Sequence, residues 1–503
     1  MTTTTAPETS VTGDTFDSLN PANDDVVGTW PVHTKDDVRS AVDSARGEFA
    51  WWSSLPHARR KDILLTWRSV ITRRMAQLAE LVHRETGKPI ADAQLEIVLA
   101  IDHIAWAAKN AKKVLGPRRV APGLLMVNQA ARVEYRPYGV VGVIGPWNYP
   151  VFTPLGSITY ALAAGNTVVF KPSEFTPGVG MWLADTLAEV TGGHEVLHAV
   201  TGLGETGAAL CEAGVDKLAF TGSAATGKKV MAACATTLTP VVIEAGGKDA
   251  MLVDEDADIA AAADAAVWGG MSNAGQTCIG VERIYVHERV FDSFVNELTE
   301  RARTVRAGND PDADYGPMTM PGQLDVVREH LSDAVSKGAR VIMGGPDAVG
   351  ERMVAPTILT HVPDDAAEMC HETFGPTLAV NPVGDMDEAV DRANATEYGL
   401  ASSVFAKSRG MEIARKIRSG MTSVNSVLSY AGVPSLPFGG VGQSGFGRIH
   451  GPDGLREFCF AKSVTRQRFD PPLMLTTFAR KPGTDARLAK LITLLHGNKQ
   501  TLK

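Results

Sequence analysis

Residues 137–174 read PYGVVGVIGPWNYPVFTPLGSITYALAAGNTVVFKPSE. From Pro137 to Phe170 the stretch carries no charge, so length alone would permit a membrane span. Pro137, Pro146, Pro150 and Pro154 interrupt it, together with glycines at 139, 142, 145, 156 and 165. Breakers at that density predict a buried strand, loop, helix and strand instead. The strands fall at 140–144 and 167–170 and the helix at 154–164.

The alternation continues outward. Short apolar runs at 196–201, 217–220 and 241–243 are separated by helical patterns at 178–190, 205–211 and 226–235. Such βαβ units imply a parallel sheet, which binds ligands beyond the carboxyl ends of its strands. A second series places strands at 250–253, 283–286, 340–343, 377–380, 402–405 and 422–424. Its helices fall at 257–269, 291–306, 322–337, 387–393 and 410–417, giving a second α/β domain. Upstream, 34–106 is helical in pattern, clearest at 36–50 and 57–85, and 132–138 alternates like a strand or hairpin arm. The first dozen residues are polar, so disorder is expected there. Beyond Phe460 the chain is basic and ends in an amphipathic stretch, 487–495, with Leu488, Leu491, Ile492 and Leu495 on one face. A packing or oligomer helix is expected rather than a membrane-surface helix, because the stretch is short and only modestly basic.

A length of 503 residues suggests about three folded units. The 49 basic and 57 acidic residues leave a net charge of −8, which argues against a nucleic-acid partner. The start is Thr-rich and lacks the basic and apolar regions of a signal peptide, and no membrane partner is expected. The five cysteines are odd in number and none has CxxC spacing. Neither a disulfide framework nor a metal site is expected, and the chain reads as cytoplasmic.

Several residues are suited to chemistry. Asn273-Ala-Gly-Gln-Thr-Cys278 is a loop of small and polar residues ending in a thiol, where another molecule could reach the sulfur. Cys211, Cys234 and Cys459 have core-like neighbours and read as small buried hydrophobes. Glu244 enters the turn Ala245-Gly246-Gly247 from a strand end and is placed to act as a base or as an ordinary turn acid. Lys171 and Glu174 close another strand, either as a salt bridge or as a clasp on a sugar edge. Trp147-Asn148 supplies an amide donor in an apolar setting, and Glu372 stands near Phe374. Gly222–Lys229 (GSAATGKK) nearly fits a P-loop, but Lys229 stands where a hydroxyl would ligate Mg²⁺. A glycine turn presenting a helix N-terminus to a pyrophosphate is the other reading.

In order, GPWNYP, KPSE, FTGS, EAGGK, NAGQTC, ETFGP and PFGGVGQSGFGR run from 145 to 448, and together they resemble the aldehyde dehydrogenase superfamily over nearly the whole chain. The stretches 220–244 and 424–442 and the PP-containing tail are most similar to the class 3 branch, whereas the longer N-terminus is more similar to classes 1 and 2. The resemblance implies a Rossmann-like parallel-sheet cofactor domain (15–116 and 138–246), a second α/β catalytic domain (247–457) and a small β oligomerisation arm with a C-terminal tail (117–137 and 458–503), after a disordered 1–14. It implies NAD, with NADP possible, a small-molecule aldehyde as substrate and a homo-oligomer, dimer or tetramer. Cys278 matches the nucleophile, Asn148 the oxyanion donor and Glu244 the base that activates water. Lys171 and Glu174 match the adenine-ribose site, Gly222 and Ser223 the turn under the pyrophosphate, Trp147 and Phe220 the cleft walls, and Glu372 with Phe374 the nicotinamide ribose; Ile144, Ser173 and Gly204 are further cofactor-binding matches. Ala245 departs from the family's usual leucine, which implies an altered cavity wall. Relatives that oxidise succinic semialdehyde carry an arginine at the position of Gly156.

The leading expectation is therefore NAD(P)-dependent oxidation of an uncharged aliphatic or aromatic aldehyde to the free acid. A carboxylated semialdehyde is the alternative substrate. An acylating dehydrogenase using coenzyme A is opposed by Glu244, since those relatives typically lack this base. A P-loop NTPase is opposed by Lys229.

Overall fold

The computed structural model describes residues 11–12, 14–471 and 476–497. The uncharged stretch forms the strand Val140–Ile144, the helix Phe152–Ala164 and the strand Thr167–Lys171. Every residue of that helix except Thr153 is buried. A helix covered on all sides has no face for charge, which accounts for its composition. It stops at Gly165, whose φ of 107° a side chain would resist.

These strands lie within a six-stranded sheet ordered Gly445–Phe446, Val241–Ala245, Lys217–Gly222, Val140–Ile144, Thr167–Lys171, Leu197–Ala199. All pairings are parallel except that of Gly445–Phe446. The chain enters at Val140–Ile144, steps outward twice, then returns to the other side at Lys217–Gly222. That reversal opens a crevice at the carboxyl ends of Val140–Ile144 and Lys217–Gly222. A seven-stranded sheet follows, ordered Arg340–Met343, Thr357–Thr360, Thr377–Val383, Val281–His287, Asp249–Val253, Ala401–Phe405, Met421–Val424. It is parallel apart from Arg340–Met343, and Met251, Leu252, Ile284, Leu378 and Val404 form its fully covered centre. The α/β class with two such sheets is as expected.

Three local expectations are corrected. The strand read as 241–243 runs to Ala245, because Ile243 and Glu244 pair with Phe446 and Gly445 on its open side. Glu244 therefore lies inside the strand rather than after it. At the N-terminus, Val11–Thr12 is a strand, so the disorder expected through residue 14 does not hold there; residues 1–10 and 13 lie outside the described residues. With Thr15–Leu19 and Val26–Pro31 it makes an antiparallel sheet that the sequence reading did not anticipate. Asp24 N donates to Asn20 O at 2.8 Å across the turn. The strand read as 196–201 contracts to Leu197–Ala199 at the sheet edge.

A second compact unit comprises Gly116–Arg136 and Ala461–Lys503. Its sheet is ordered Cys459–Gln467, Gln129–Pro137, Arg118–Val120, and Leu124, Leu125, Met126 and Val127 are exposed between the latter two strands. The amphipathic stretch lies in the helix Thr484–His496. Among the described residues no helix is long and apolar enough to cross a membrane.

Candidate active site

The crevice at the strand reversal opens into a cleft of about 560 Å³. Ile144, Trp147, Lys171, Ser173, Glu174, Gly204, Phe220, Gly222 and Ser223 all line it. A Cβ on Gly204 would meet nothing within 4 Å, so the glycine leaves the helix start at Gly204–Glu212 open to a ligand. Ser223 caps the neighbouring helix, accepting from Thr226 N at 3.2 Å. Lys171 Nζ lies 3.4 Å from Glu174 Oε2; burial pulls the lysine's pKa down and Glu174 opposes that pull. Lys229 lines the cleft, whereas Lys228, which a P-loop would fold onto phosphates, is exposed outside it. The long groove, its glycine-opened helix start and a carboxylate beside a lysine at one end suit a dinucleotide.

The cleft runs on into a cavity of about 460 Å³ lined by Asn148, Thr221, Glu244, Cys278, Glu372 and Phe374. Every residue matched to a catalytic or cofactor role from sequence thus lines one of two connected spaces. Glu372 accepts from Gly247 N at 3.2 Å, and a Cβ on Gly246 would strike its carboxylate. Burial, then Glu282, pushes the Glu372 pKa up to about 8. The Phe374 ring stands edge-on to Trp147 with centroids 5.7 Å apart.

Cys278 follows a tight turn, Ser272–Gly275, in which Asn273 and Ala274 have φ of 52° and 56°. Left-handed backbone at non-glycine residues is strained, and here it aims the loop. Asn148 Nδ2 donates to Gln276 O at 3.0 Å, which ties the amide to the thiol's loop. Burial, then the carboxylate of Glu244, holds the Cys278 thiol well above its ordinary pKa. Burial likewise raises Glu244 to about 7, against the pull of Cys278 and Thr221, and among the described residues neither of its oxygens has a hydrogen-bond partner of ordinary length. A buried, unpaired carboxyl that titrates near neutrality beside a thiol is equipped to exchange protons.

A third cavity, about 250 Å³, approaches Cys278 from the other side. Its walls are mainly apolar, including Leu99, Phe152, Trp268, Ile279, Val427 and Phe438. Lys88, Asp92 and Glu96 also line it, and none was singled out from sequence. Lys88 Nζ is 2.9 Å from Glu96 Oε2 and donates to Asn148 O at 2.6 Å, with both side chains buried. A signal was available: Glu96 sits on the buried stripe of the helix Ile90–Leu115, among Ala93, Ile97 and Ala100. Gly156 does not line this cavity; a Cβ there would lie 2.5 Å from His450 Nε2.

The aldehyde dehydrogenase family profile matches residues 8–464. A 4,4'-diapolycopene aldehyde oxidase of Methylomonas sp is 37% identical over 90% of this chain and 86% of its own. A Mycolicibacterium smegmatis protein provisionally named as an NADP(+) succinate-semialdehyde dehydrogenase is 39% identical over 88% of each chain. The crystal structure of an NAD-dependent aldehyde dehydrogenase from Sinorhizobium meliloti superposes with a TM-score of 0.88 at 35% identity, covering 92% of this chain and 93% of that one. The fold, the profile and these relatives agree on NAD(P)-dependent aldehyde oxidation through a cysteine intermediate, and the chain belongs to the aldehyde dehydrogenase family.

Proposed function

We propose that Cys278, Asn148 and Glu244 carry the reaction and that the substrate is an uncharged aliphatic or aromatic aldehyde. The observation that supports this most is that Cys278 alone, among the described residues, lines both the cofactor-side cavity and the apolar one. An aldehyde in the apolar cavity meets the sulfur, and the thiol proton passes to a neighbouring base as the C–S bond forms. The Asn148 amide and the Cys278 backbone N–H stabilise the oxyanion of the thiohemiacetal. Bound NAD(P) supplies the hydride acceptor. Glu244 then takes a proton from water, and the resulting hydroxide attacks the thioester to release the free acid.

For the cofactor, Lys171, Ser173 and Glu174 face the adenine ribose, Gly204, Gly222 and Ser223 the pyrophosphate, and Glu372 with Phe374 the nicotinamide ribose. Ile144, Trp147 and Phe220 wall the cleft. A 2′-phosphate would meet the Glu174 carboxylate, and Lys171 is already engaged with it. NAD is therefore preferred, by roughly tenfold in kcat/KM. Glu174→Gln narrows that ratio, and a wild-type preference for NADP in the same initial-rate assay would refute the assignment.

The substrate class rests on the charges in the apolar cavity. Among the described residues its one cation, Lys88, is already paired with Glu96 and Asn148 O, and Asp92 adds negative charge. A distal carboxylate would be buried without a partner. Each buried CH₂ contributes about 0.8 kcal/mol, or roughly fourfold. We expect kcat/KM to rise from acetaldehyde to hexanal and benzaldehyde and to be low for succinic semialdehyde. The name of the Mycolicibacterium relative favours the opposite order, and succinic semialdehyde outrunning hexanal would establish it.

The same reading divides the chain into a cofactor domain (15–116 and 138–246), a catalytic domain (247–457) and an oligomerisation arm with tail (117–137 and 458–503). The exposed Leu124–Met126 turn supports a homo-oligomer. The cysteine usage supports a cytoplasmic setting.

A further inference from the structure

We propose that Lys88 and Glu96 are positioning residues for aldehyde oxidation, holding the segment that carries Asn148 at the angle needed to meet the oxyanion. The proposal rests on the reading of Asn148 as an oxyanion donor. Residues 146–151 connect a strand to a helix without regular structure of their own. The pair fastens this connection at both ends. Lys88 Nζ donates to Asn148 O at 2.6 Å, while Glu96 Oε1 accepts from Val151 N at 2.7 Å and from Phe152 N at 3.0 Å. Between them, Lys88 Nζ stands 4.2 Å from the centre of the Tyr149 ring, and Tyr149 Oη is 3.0 Å from Thr277 Oγ1, beside Cys278. Asn273 Nδ2 completes the link, donating to Asn148 O at 3.2 Å and to Gln276 O at 3.1 Å.

The energetics point to placement rather than bulk stability. The two side chains are 1% and 0% exposed, and a buried ion pair is often no more stable than apolar residues of the same volume. What the pair supplies is direction. Its donors and acceptors are spent on the backbone of one short segment and on one aromatic face. Lys88 is in the wall of the apolar cavity, yet its protons are committed to Glu96, Asn148 O and the Tyr149 ring. The geometry therefore assigns it to the loop and not to a substrate anion. An oxyanion donor displaced by about 1 Å loses on the order of 10²-fold in rate.

The test is the double variant Lys88→Met/Glu96→Gln. It removes both charges together, keeps the volumes similar and leaves an amide oxygen for Val151 N and Phe152 N. The pre-steady-state burst of reduced nicotinamide is expected to slow by roughly 10–10²-fold, with the aldehyde KM changed by less than about threefold. Alkylation of Cys278 by iodoacetamide and the affinity for NAD are expected to stay within about twofold of wild type. In an Asn148→Ala background the double variant should add less than about twofold, because residues acting through one group are not additive. A wild-type burst in the double variant, while Asn148→Ala alone slows it tenfold, overturns the positioning role and leaves Asn148 in place. A wild-type burst in Asn148→Ala overturns both. A parallel fall in burst, alkylation and NAD affinity overturns it too, since that is general loosening of the site. If the double variant lacks a cooperative thermal transition, Glu96→Gln alone carries the same comparison and must slow the burst without moving alkylation.

Discussion

Cys278→Ser should lower aldehyde oxidation by on the order of 10³-fold or more while NAD still binds. The environment already works against ionisation of the group at 278, since burial and the Glu244 carboxylate raise even a thiol well above its ordinary value. A serine hydroxyl starts several units higher and is a poorer nucleophile when neutral. Cys278 borders the cofactor-side cavity but not the cleft that holds Lys171, Ser173, Glu174 and Gly204, so most of the proposed cofactor contacts lie away from the sulfur. NAD affinity, followed by fluorescence titration, is therefore expected to hold. Cys459→Ser is the matched control: that thiol is buried away from all three spaces and its loss should leave the rate largely intact. A Cys278→Ser enzyme that turns over aldehyde at a comparable rate would remove the nucleophile assignment.

Glu244→Gln should separate the two halves of the reaction. The amide keeps the shape and cannot accept a proton, so deacylation is expected to fall roughly 10²–10⁴-fold while a burst of reduced nicotinamide persists. The pH dependence has a definite sign. With its pKa raised to about 7 by burial, Glu244 is protonated and inactive as a base below that value and ionised above it. Steady-state turnover of the wild type should rise with pH through about 7, and the glutamine variant should lose that limb. Stopped-flow absorbance over pH 5.5–8.5 reads both. Equal loss of burst and steady state would instead make Glu244 the base for the thiol itself.

Local patterning carried much of this into the sequence. The strands of the six-stranded sheet are short β-branched runs punctuated by glycine and proline, so Val140–Ile144 and Thr167–Lys171 were recognisable from composition. The loop of Cys278 declared itself by small polar neighbours. What stayed hidden depends on distance along the chain. Glu96 looks like an ordinary helix charge, and Lys88 like an ordinary charge in the turn before that helix, until residues 148–152 come to rest against them. The cavities at Cys278 belong to no single segment. Gly156 shows the reverse case: the resemblance aligns it with a substrate-binding arginine of semialdehyde-oxidising relatives, yet here the position abuts His450. The N-terminal sheet is hard to read because polar Ser18 holds a buried position and apolar Leu19 an exposed one, which breaks the alternation.

The two-residue strand Gly445–Phe446 makes the surroundings of Glu244 depend on chain far downstream of it. It closes the edge of Val241–Ala245 at Glu244, and Ser444 Oγ fastens the following turn through Gly246 O at 2.7 Å. Without these contacts the edge of Val241–Ala245 would be open at Glu244 and the turn at Gly246 would lose its tie to Ser444. A chain cut upstream of Ser444 is therefore expected to carry Cys278 with the sheet edge beside Glu244 unpaired.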